Sequence, residues 1–307
     1  SVPGGDPSTT TYTGERTGLD AFFAGGTRYA ARGSTEVVVR RNTATEVFST
    51  DNANQVMAWN YRISKDTGNP PNVEVYGEYL NTFESLLTSN NIDTGVENMF
   101  MNLNVDGYSL NVERVDFIFD IPLLVEGDEV FAMFDRGGGG GGSNHGFGIA
   151  AITGINLLDP TAYSNPLFVA DSEYNGASAL RPSTEYDIYR YNVSGGPDLD
   201  FRNDQPDQHL VGLSVAATDL VSAGTTVYGY SVFAQDTSAT LGSHLLDWTN
   251  AGRFPTTTDG TGDLDMAAYS AAYFEVEPIP EPSSMLLLLI GFALLGLIRR
   301  TREPIRN

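Results

Sequence analysis

The sequence contains no cysteine, and this absence excludes a disulfide framework and thiolate chemistry. A domain that works outside the cell without disulfides depends on its own hydrophobic core or on bound ions for stability. With 307 residues the chain is long enough to bury such a core, in one large domain or two modest ones.

Basic residues are scarce, since the chain has 17 lysines and arginines against 39 aspartates and glutamates, and Lys65 is its only lysine. The formal net charge is −22, and it becomes −25 for residues 1–282 because the last 25 residues hold four arginines and one glutamate. So negative a chain repels nucleic acid and anionic lipid, which bind cationic surfaces. We therefore predict no nucleic-acid partner.

Catalytic signatures are also lacking. The three histidines, His145, His209 and His244, lie far apart without zinc-ligand spacing, and no Gly-x-Ser-x-Gly elbow is present. The six glycines at 137–142 lack the following Lys-Ser/Thr of a phosphate-binding loop and are typical of a flexible surface loop. With 39 acidic residues, no pair can be selected for glycoside hydrolysis. We therefore predict that the protein is not an enzyme.

Long apolar runs are absent except for one, the sixteen uncharged residues Ser283–Ile298. As a helix this run is about 24 Å long, somewhat short for a hydrocarbon core of about 30 Å. It lacks the polar face that a surface helix of a globular core needs. The run follows Pro280-Glu281-Pro282 and precedes Arg299, Arg300 and Arg302. This pattern predicts a marginal transmembrane helix with its basic end in the cytoplasm and residues 1–282 outside.

Together, the Pro280-Glu281-Pro282 tripeptide, the apolar helix and the terminal arginines resemble the PEP-CTERM sorting signal of Gram-negative surface proteins. The resemblance implies recognition by an exosortase, a membrane cysteine protease or transpeptidase, followed by removal of the tail. It also implies transient residence in the inner membrane and final delivery to the cell surface or the extracellular space. Since such a tail requires export, we expect that a signal peptide has already been removed before Ser1.

Alternation of apolar and polar residues predicts strands in many segments between residues 36 and 276. The segments are 36–40, 55–63, 73–79, 98–120, 130–134, 147–155, 185–193, 210–215, 226–234 and 268–276. Leu80, Phe83, Leu86 and Leu87 have helical spacing, and a second helical turn is predicted within 241–248. The chain is therefore predicted to be mainly β, an antiparallel β-sandwich, one large or two smaller, with one or two short helices and a C-terminal hydrophobic helix.

These patterns divide the chain into five parts. We predict a loosely structured N-terminal segment with about one strand at 1–35, followed by the sandwich ectodomain at 36–276. A Pro-rich linker with the sorting motif follows at 277–282, then the transmembrane helix at 283–298 and a basic cytoplasmic end at 299–307.

Two acidic clusters next to glycines are predicted calcium sites, since hard cations favour carboxylate and backbone carbonyl oxygens. The first cluster is Asp259, Asp263 and Asp265, and the second is Asp198, Asp200, Asp204 and Asp207. Neither matches an EF-hand loop, and aspartates with glycines also form ordinary turns. Calcium is the one cofactor that the sequence predicts.

We predict an exported surface or extracellular-matrix protein with a structural or adhesive role, associating with itself or with exopolysaccharide. Residues 227–265 resemble a module of bacterial surface proteins and adhesins through Val227–Ala234, Leu246-Asp247-Trp248, Phe254-Pro255-Thr256 and Gly262–Asp265. Two alternatives stay open. One is a carbohydrate-binding module, with Trp59, Trp248 and some of the fifteen tyrosines as a sugar platform, and the other is a secreted polysaccharide hydrolase.

Overall fold

Two β-sheets form the structure, a computed structural model that describes residues 10–12, 17–41, 55–65, 73–75, 82–101, 112–137, 145–174, 181–192, 199–258 and 264–277. In these residues, with strands numbered along the chain, one sheet has eleven strands. Nine follow the order β1 Thr10–Tyr12, β6 Val73–Val75, β5 Gln55–Lys65, β13 Arg181–Asn192, β14 Leu199–Ala216, β9 Glu129–Gly137, β17 Tyr273–Val276, β3 Thr27–Arg32 and β2 Ala21–Ala24, and the other two are β7 Thr94–Val96 and β16 Met266–Ala267.

The second sheet has six strands within the same described ranges. Five follow the order β11 Asp159–Tyr163, β10 Phe147–Asn156, β15 Thr226–Ala234, β8 Val112–Leu124 and β4 Thr35–Arg41, while β12 Leu167–Val169 pairs with β10. The helices described are α1 Phe83–Leu87, α2 Asp171–Tyr174, α3 Ala217–Leu220 and a 3₁₀ helix, Gly242–Leu246. The pairings between described strands are antiparallel, except that β1 and β6 are parallel. The predicted mainly β, antiparallel fold is confirmed.

Two short strands close part of the larger sheet on itself. β5 pairs with β13 along one edge and with β7 along the other, and β7 pairs with β16, which pairs with β9. Because β9 also pairs with β14, and β14 with β13, these six strands form a closed circuit. Trp59 packs directly against Gly95 in β7. A larger residue would not fit there, because its Cβ would lie 2.6 Å from Trp59 Cε2. Trp59 has no exposed surface as a result.

Aromatic side chains join the two sheets into one core. The Tyr230 ring from β15 stacks on Phe117 at 4.8 Å and on Phe131 from β9 at 4.9 Å between ring centroids. Because Phe131 belongs to the larger sheet and Tyr230 to the smaller, this contact spans the sandwich. The Tyr230 hydroxyl lies 2.9 Å from that of Tyr269, and burial raises the pKa of both phenols. The core is therefore a face-to-face packing of two sheets.

The smaller sheet is also covered on its other face, by residues 235–258, here called the covering segment. Its Ala239, Leu245 and Phe254 pack with Ala150 and Phe233 of the sheet as a separate buried cluster. The segment folds back on itself, because Ser238 N–H donates to the Arg253 carbonyl at 2.8 Å. The middle of the smaller sheet, at Ala150 and Phe233, is thus buried beneath this segment.

Helix α1 forms where the sequence predicts a helix. Thr82 accepts a hydrogen bond from Ser85 N–H at 3.0 Å, and Ser85 Oγ accepts one from Thr82 N–H at 3.2 Å, which makes a capping box. Phe83, Leu86 and Leu87 are buried on one side. The predicted helical turn near Leu241–Trp248 is also confirmed, as the 3₁₀ helix.

The structure corrects three local predictions. Residues 1–35 contain β1, β2 and β3 rather than about one strand, because the short pattern Ala21–Ala24 pairs with Thr27–Arg32 across a glycine turn. Met99 and Phe100 lie in a turn, not a strand, since Asn98 adopts a positive φ of 51° and Met99 N–H donates to the Leu264 carbonyl. Residues 268–272 lie outside any strand, so only the second half of the strand predicted at 268–276 forms, as β17.

Candidate functional site

The last strand described before the tail, which ends at Val276, lies in the interior of the larger sheet. β17 lies between β9 and β3, so its removal would divide the sheet. Beyond Val276, Glu277 N–H donates to the Arg28 carbonyl at 2.9 Å, and its carboxylate pairs with the Arg28 guanidinium. The chain is therefore held in the sheet up to Glu277. Pro280, Glu281, Pro282, Arg299, Arg300 and Arg302 lie outside the described residues.

A buried charge cluster, here called the Arg136 cluster, lies where the closed circuit of strands is completed. Arg136 in β9 is 2 % exposed and donates to Glu97, just after β7, and to Asp265, just before β16. Its other terminal nitrogen donates to Gln208 Oε1 in β14 at 3.0 Å. Arg136 also lies over the Trp59 ring, at 5.8 Å from the centroid. One guanidinium thus bridges four segments.

The electrostatics of the Arg136 cluster favour the charged forms. Burial lowers the pKa of Arg136, but the negative charges of Asp265 and Glu97 and the hydrogen bond to Glu97 outweigh burial and raise it above its ordinary value. Asp135 adds a further negative charge, and its Oδ1 accepts a hydrogen bond from Asp265 N–H at 2.9 Å. A buried cation with several carboxylates around it ties strands together.

Of the first predicted calcium cluster, the structure describes Asp265 alone, and Asp259 and Asp263 lie outside the described residues. Asp265 Oδ2 accepts from Arg136, and Oδ1 accepts from Asn98 N–H at 2.9 Å. Both carboxylate oxygens of Asp265 therefore bind protein donors. A calcium ion at this position would compete with the guanidinium for the same oxygens.

Of the second predicted cluster, Asp200, Asp204 and Asp207 are positions of β14, and Asp198 lies outside the described residues. The backbones of Asp200 and Asp207 are therefore about 23 Å apart along an extended strand. Among the residues that the structure describes, no group of three or more histidines, aspartates or glutamates is arranged to hold a metal. Calcium binding stays a prediction.

Calcium is expected to raise the melting temperature of residues 1–282, and EDTA to reverse the rise, because a ligand that binds only the folded state stabilises it. Asp263→Ala and Asp198→Ala, measured separately by thermal denaturation, assign the effect to one cluster. Magnesium at the same ionic strength is the control. An unchanged melting temperature at millimolar calcium would remove the prediction.

A second buried cluster, here called the Asp116 cluster, lies beneath the covering segment on the smaller sheet. Asp116 in β8 is fully buried and accepts from Arg114 Nε at 2.6 Å and Nη2 at 3.0 Å. It also accepts from Arg40 Nε in β4 at 2.7 Å and from Ser231 Oγ in β15 at 2.6 Å. The Tyr163 hydroxyl from β11 completes the set at 3.3 Å. Four strands thus converge on one carboxylate.

The Asp116 cluster also holds the covering segment in place. Arg114, which has no exposed surface, donates to the Leu245 carbonyl of the 3₁₀ helix. The guanidinium carbons of Arg114 and Arg40 lie 4.9 and 5.1 Å from the Trp248 ring centroid. Arg40 further donates to Asp159 Oδ1 at 3.0 Å. These cation–π contacts and hydrogen bonds fix Trp248 and Leu245 over the sheet.

The stability that the Asp116 cluster contributes depends on pH. Burial raises the pKa of Asp116. The charge and hydrogen bonds of Arg114, together with hydrogen bonds from Ser231 and Arg40, outweigh burial and hold the pKa below its ordinary value of 3.8. A carboxyl with a lowered folded pKa contributes stability that is present above its ordinary pKa and lost as the pH falls through the folded pKa.

Acidification below about pH 4 is therefore expected to remove the stability that Asp116 contributes. Urea denaturation of wild type and Asp116→Asn across the acid range measures this loss. The variant should be less stable near neutral pH, since it leaves Arg114 and Arg40 without their anion, and its stability should fall less steeply with acid. Parallel curves for the two proteins would contradict the expectation.

The two tryptophans do not form an open sugar platform. Trp59 is completely buried against Tyr186, with ring centroids 5.2 Å apart, so the prediction for this residue is wrong. Trp248 is half-buried and has two guanidinium groups against its ring. Of the histidines, His209 lies in β14, His145 N–H donates to Asp135, and His244 Nδ1 accepts from Thr240 N–H.

Comparison with known proteins identifies the tail. A family model, the PEP-CTERM protein-sorting motif, matches residues 278–302, which begin directly after Glu277. The resemblance predicted from Pro280-Glu281-Pro282, the apolar run and the arginines is thereby confirmed. No curated protein matches the chain.

The class of protein follows from this motif. It implies an exported protein whose precursor is anchored in a membrane and processed by an exosortase, a membrane enzyme. In the part of the chain that the structure describes, no helix has the length and apolarity to cross a bilayer. The apolar run Ser283–Ile298 lies outside that part.

Proposed function

We propose that this protein is a structural or adhesive component of the cell surface or the extracellular matrix, without catalytic activity. The observation that carries the proposal is the sorting motif at residues 278–302, attached directly to the strand that completes the larger sheet. Such a motif delivers the domain that precedes it. In this chain that domain is a β-sandwich, a fold that serves widely in surface proteins.

The internal polar groups support a structural role. The Arg136 and Asp116 clusters are buried and link strands to each other and to the covering segment. Such charges contribute to specifying one arrangement of strands. A cysteine-free protein outside the cell needs links of this kind because it has no disulfides.

The tail determines how the protein is exported in this proposal. In this proposal Ser283–Ile298 spans the inner membrane as a transient helix, the arginines after it stay in the cytoplasm, and the exosortase cuts near Pro280-Glu281-Pro282. The sixteen-residue span is short for a permanent anchor, which suits a segment that is later removed. The product is a released or surface-attached sandwich.

At the surface we propose that the sandwich associates with further copies of itself or with exopolysaccharide. Edge strands of the sheets, such as β2 and β4, are positions where another strand can pair. Sedimentation of residues 1–282 over a range of concentrations tests self-association. A strict monomer at every concentration, with and without calcium, rules it out.

Carbohydrate binding is the second candidate, and the observation that favours it is the half-buried Trp248, whose ring lies against Arg40, which in turn donates to Asp159. A glycan array with wild type and Trp248→Ala tests this role. Binding that the variant loses would make the protein a carbohydrate-binding module. The hydrolase alternative is tested by release of reducing ends from crude polysaccharide.

The structural proposal is tested in a producing strain with the gene deleted and then restored as the full chain or as a chain ending at Glu277. The full chain is expected to restore matrix-associated protein and cell aggregation. The truncated chain should fold but fail to be retained at the surface. If deletion leaves aggregation and matrix mass unchanged although the wild-type protein is exported, the structural role is wrong while the sorting route stands.

A further inference from the structure

The register of β17 fixes where the sorting tail leaves the sandwich. Val276 pairs with Tyr29 of β3, and Glu277 N–H bonds to the Arg28 carbonyl. By the same antiparallel register, Glu277 lies opposite Arg28, the residue after Thr27. Thr27 belongs to the hairpin of β2 and β3, which turns at Gly25 and Gly26. The tip of this hairpin therefore lies at the same end of the sheet as Glu277, the last residue described before the tail.

The tether between this tip and the apolar run is short. Five residues, 278–282, separate Glu277 from Ser283. A fully extended chain covers at most about 3.6 Å per residue, so Ser283 lies within about 22 Å of Glu277. Two strand spacings, about 10 Å, separate β17 from β2. If the tail spans a bilayer, as the proposed function on which this step rests requires, the hairpin tip is within reach of the membrane surface.

The chemistry of the hairpin tip suits that position. Residues 21–27 carry no charge, although residues 1–282 have a net charge of −25. Alternation along β2 buries Phe22 against Phe274, at 5.0 Å between ring centroids, and turns Phe23 outward with 68 % of its surface exposed. Phe22 thus anchors the hairpin while Phe23 is presented to its surroundings.

The turn adds a small, uncharged tip. Gly25 and Gly26 have φ angles of 57° and 83°, which a two-residue turn of this kind requires, and a Cβ on either would meet no atom within 4 Å. Arg28, the nearest cation, is neutralised by its pair with Glu277. The hairpin therefore has no charged residue between Phe23 and the turn.

We propose that the β2–β3 hairpin is a membrane-contacting tip, with Phe23 entering the boundary between headgroups and acyl chains of the bilayer while the sorting tail still anchors the precursor. Lipid is the partner that the geometry supplies, because the tether brings the tip to the bilayer whether or not the processing enzyme is present. One phenylalanine binds lipid weakly, so the contact depends on the high local concentration that the tail provides. Cleavage of the tail then removes this local concentration, and the sandwich leaves the bilayer.

The test uses the full chain with Phe23→Trp, reconstituted in phosphatidylcholine vesicles with and without brominated acyl chains. Bromine quenches tryptophan only within the bilayer. We expect the added emission of Trp at 23 to fall at least twofold in brominated vesicles. Phe168→Trp is the matched control, since Phe168 is 40 % exposed but lies on β12 of the other sheet, and it should be unaffected. The parent protein, whose tryptophans are Trp59 and Trp248, gives the background.

Two further measurements separate the possible failures. Protease protection of residues 283–307 in the same vesicles shows whether the tail is inserted. If the tail is protected and the Phe23→Trp emission is not quenched, the hairpin proposal is wrong, and a photocross-link from position 23 to the processing enzyme in cells would assign the tip to that enzyme instead. If the tail is not protected, the spanning role in the proposed function fails first. Quenching that persists after the tail is removed would overturn the dependence on the tail.

Discussion

Replacement of Pro280-Glu281-Pro282 by three alanines is expected to leave a full-length precursor in the membrane. Pro280 and Pro282 cannot donate backbone hydrogen bonds, and each disfavours helix at the residue before it. Pro282 therefore favours an extended conformation at Glu281, the form that a protease at the membrane surface can bind. Alanines would instead allow a helix formed by the apolar run to extend toward Glu277. Wild type should lose about residues 283–307, which the intact mass of surface material and of membrane material will show.

The arginines after the apolar run provide a matched comparison. Arg299→Gln with Arg300→Gln leaves the tripeptide intact and removes charges that hold the helix end in the cytoplasm. We expect this variant to lose orientation or retention before cleavage, whereas the alanine variant is retained but uncut. Both changes lie beyond Glu277, so the sandwich should melt at the wild-type temperature in both. Wild-type surface material that still ends at Asn307 would contradict processing.

The sorting tail was predictable because its information is local. Pro280-Glu281-Pro282, one apolar run and three arginines occupy adjacent positions, and each has a direct physical meaning in a membrane. Strands with a clean alternation were predictable for the same reason, as β15 Thr226–Ala234 shows. Helix α1 was found from its spacing of apolar residues alone.

The turn at Asn98–Met101 was not predictable because distant partners decide it. Met99 and Met101 alternate with Phe100 and Asn102 as residues of a strand would, yet Met99 N–H bonds to the Leu264 carbonyl. Asn98 N–H similarly bonds to Asp265, 167 positions away. Long-range contacts of this kind override a local pattern.

The buried clusters were missed for a related reason. Arg136 reaches Glu97 and Asp265, which are 39 and 129 positions away, and no spacing rule connects them. A weak signal did exist in β8, where Arg114 and Asp116 interrupt the apolar residues of a strand that is covered on both faces. Charges in such a strand indicate a buried pair, because an unpaired charge there would be too costly.

Arg136→Met is expected to destabilise the sandwich by about 3–5 kcal/mol, because it leaves Glu97 and Asp265 buried without their cation. Methionine keeps much of the arginine volume, so the loss comes from the charge and its hydrogen bonds rather than from a cavity. Urea denaturation of residues 1–282 measures the free energy of unfolding. A loss of this size is a large fraction of the stability of a typical domain.

An exposed ion pair in the same sheet is the control. Arg32 Nε lies 2.9 Å from Glu275 Oε2, but their side chains are 41 % and 32 % exposed, so Arg32→Met should cost less than about 1 kcal/mol. Adding Glu97→Gln and Asp265→Asn to Arg136→Met should restore part of the lost stability, because the main cost of Arg136→Met is two buried carboxylates that have lost the arginine cation. Equal losses from Arg32→Met and Arg136→Met would show that the Arg136 cluster does not hold the closed circuit of strands together. Rescue by the two neutral substitutions would show that it does so through charge, because those substitutions change almost nothing in shape.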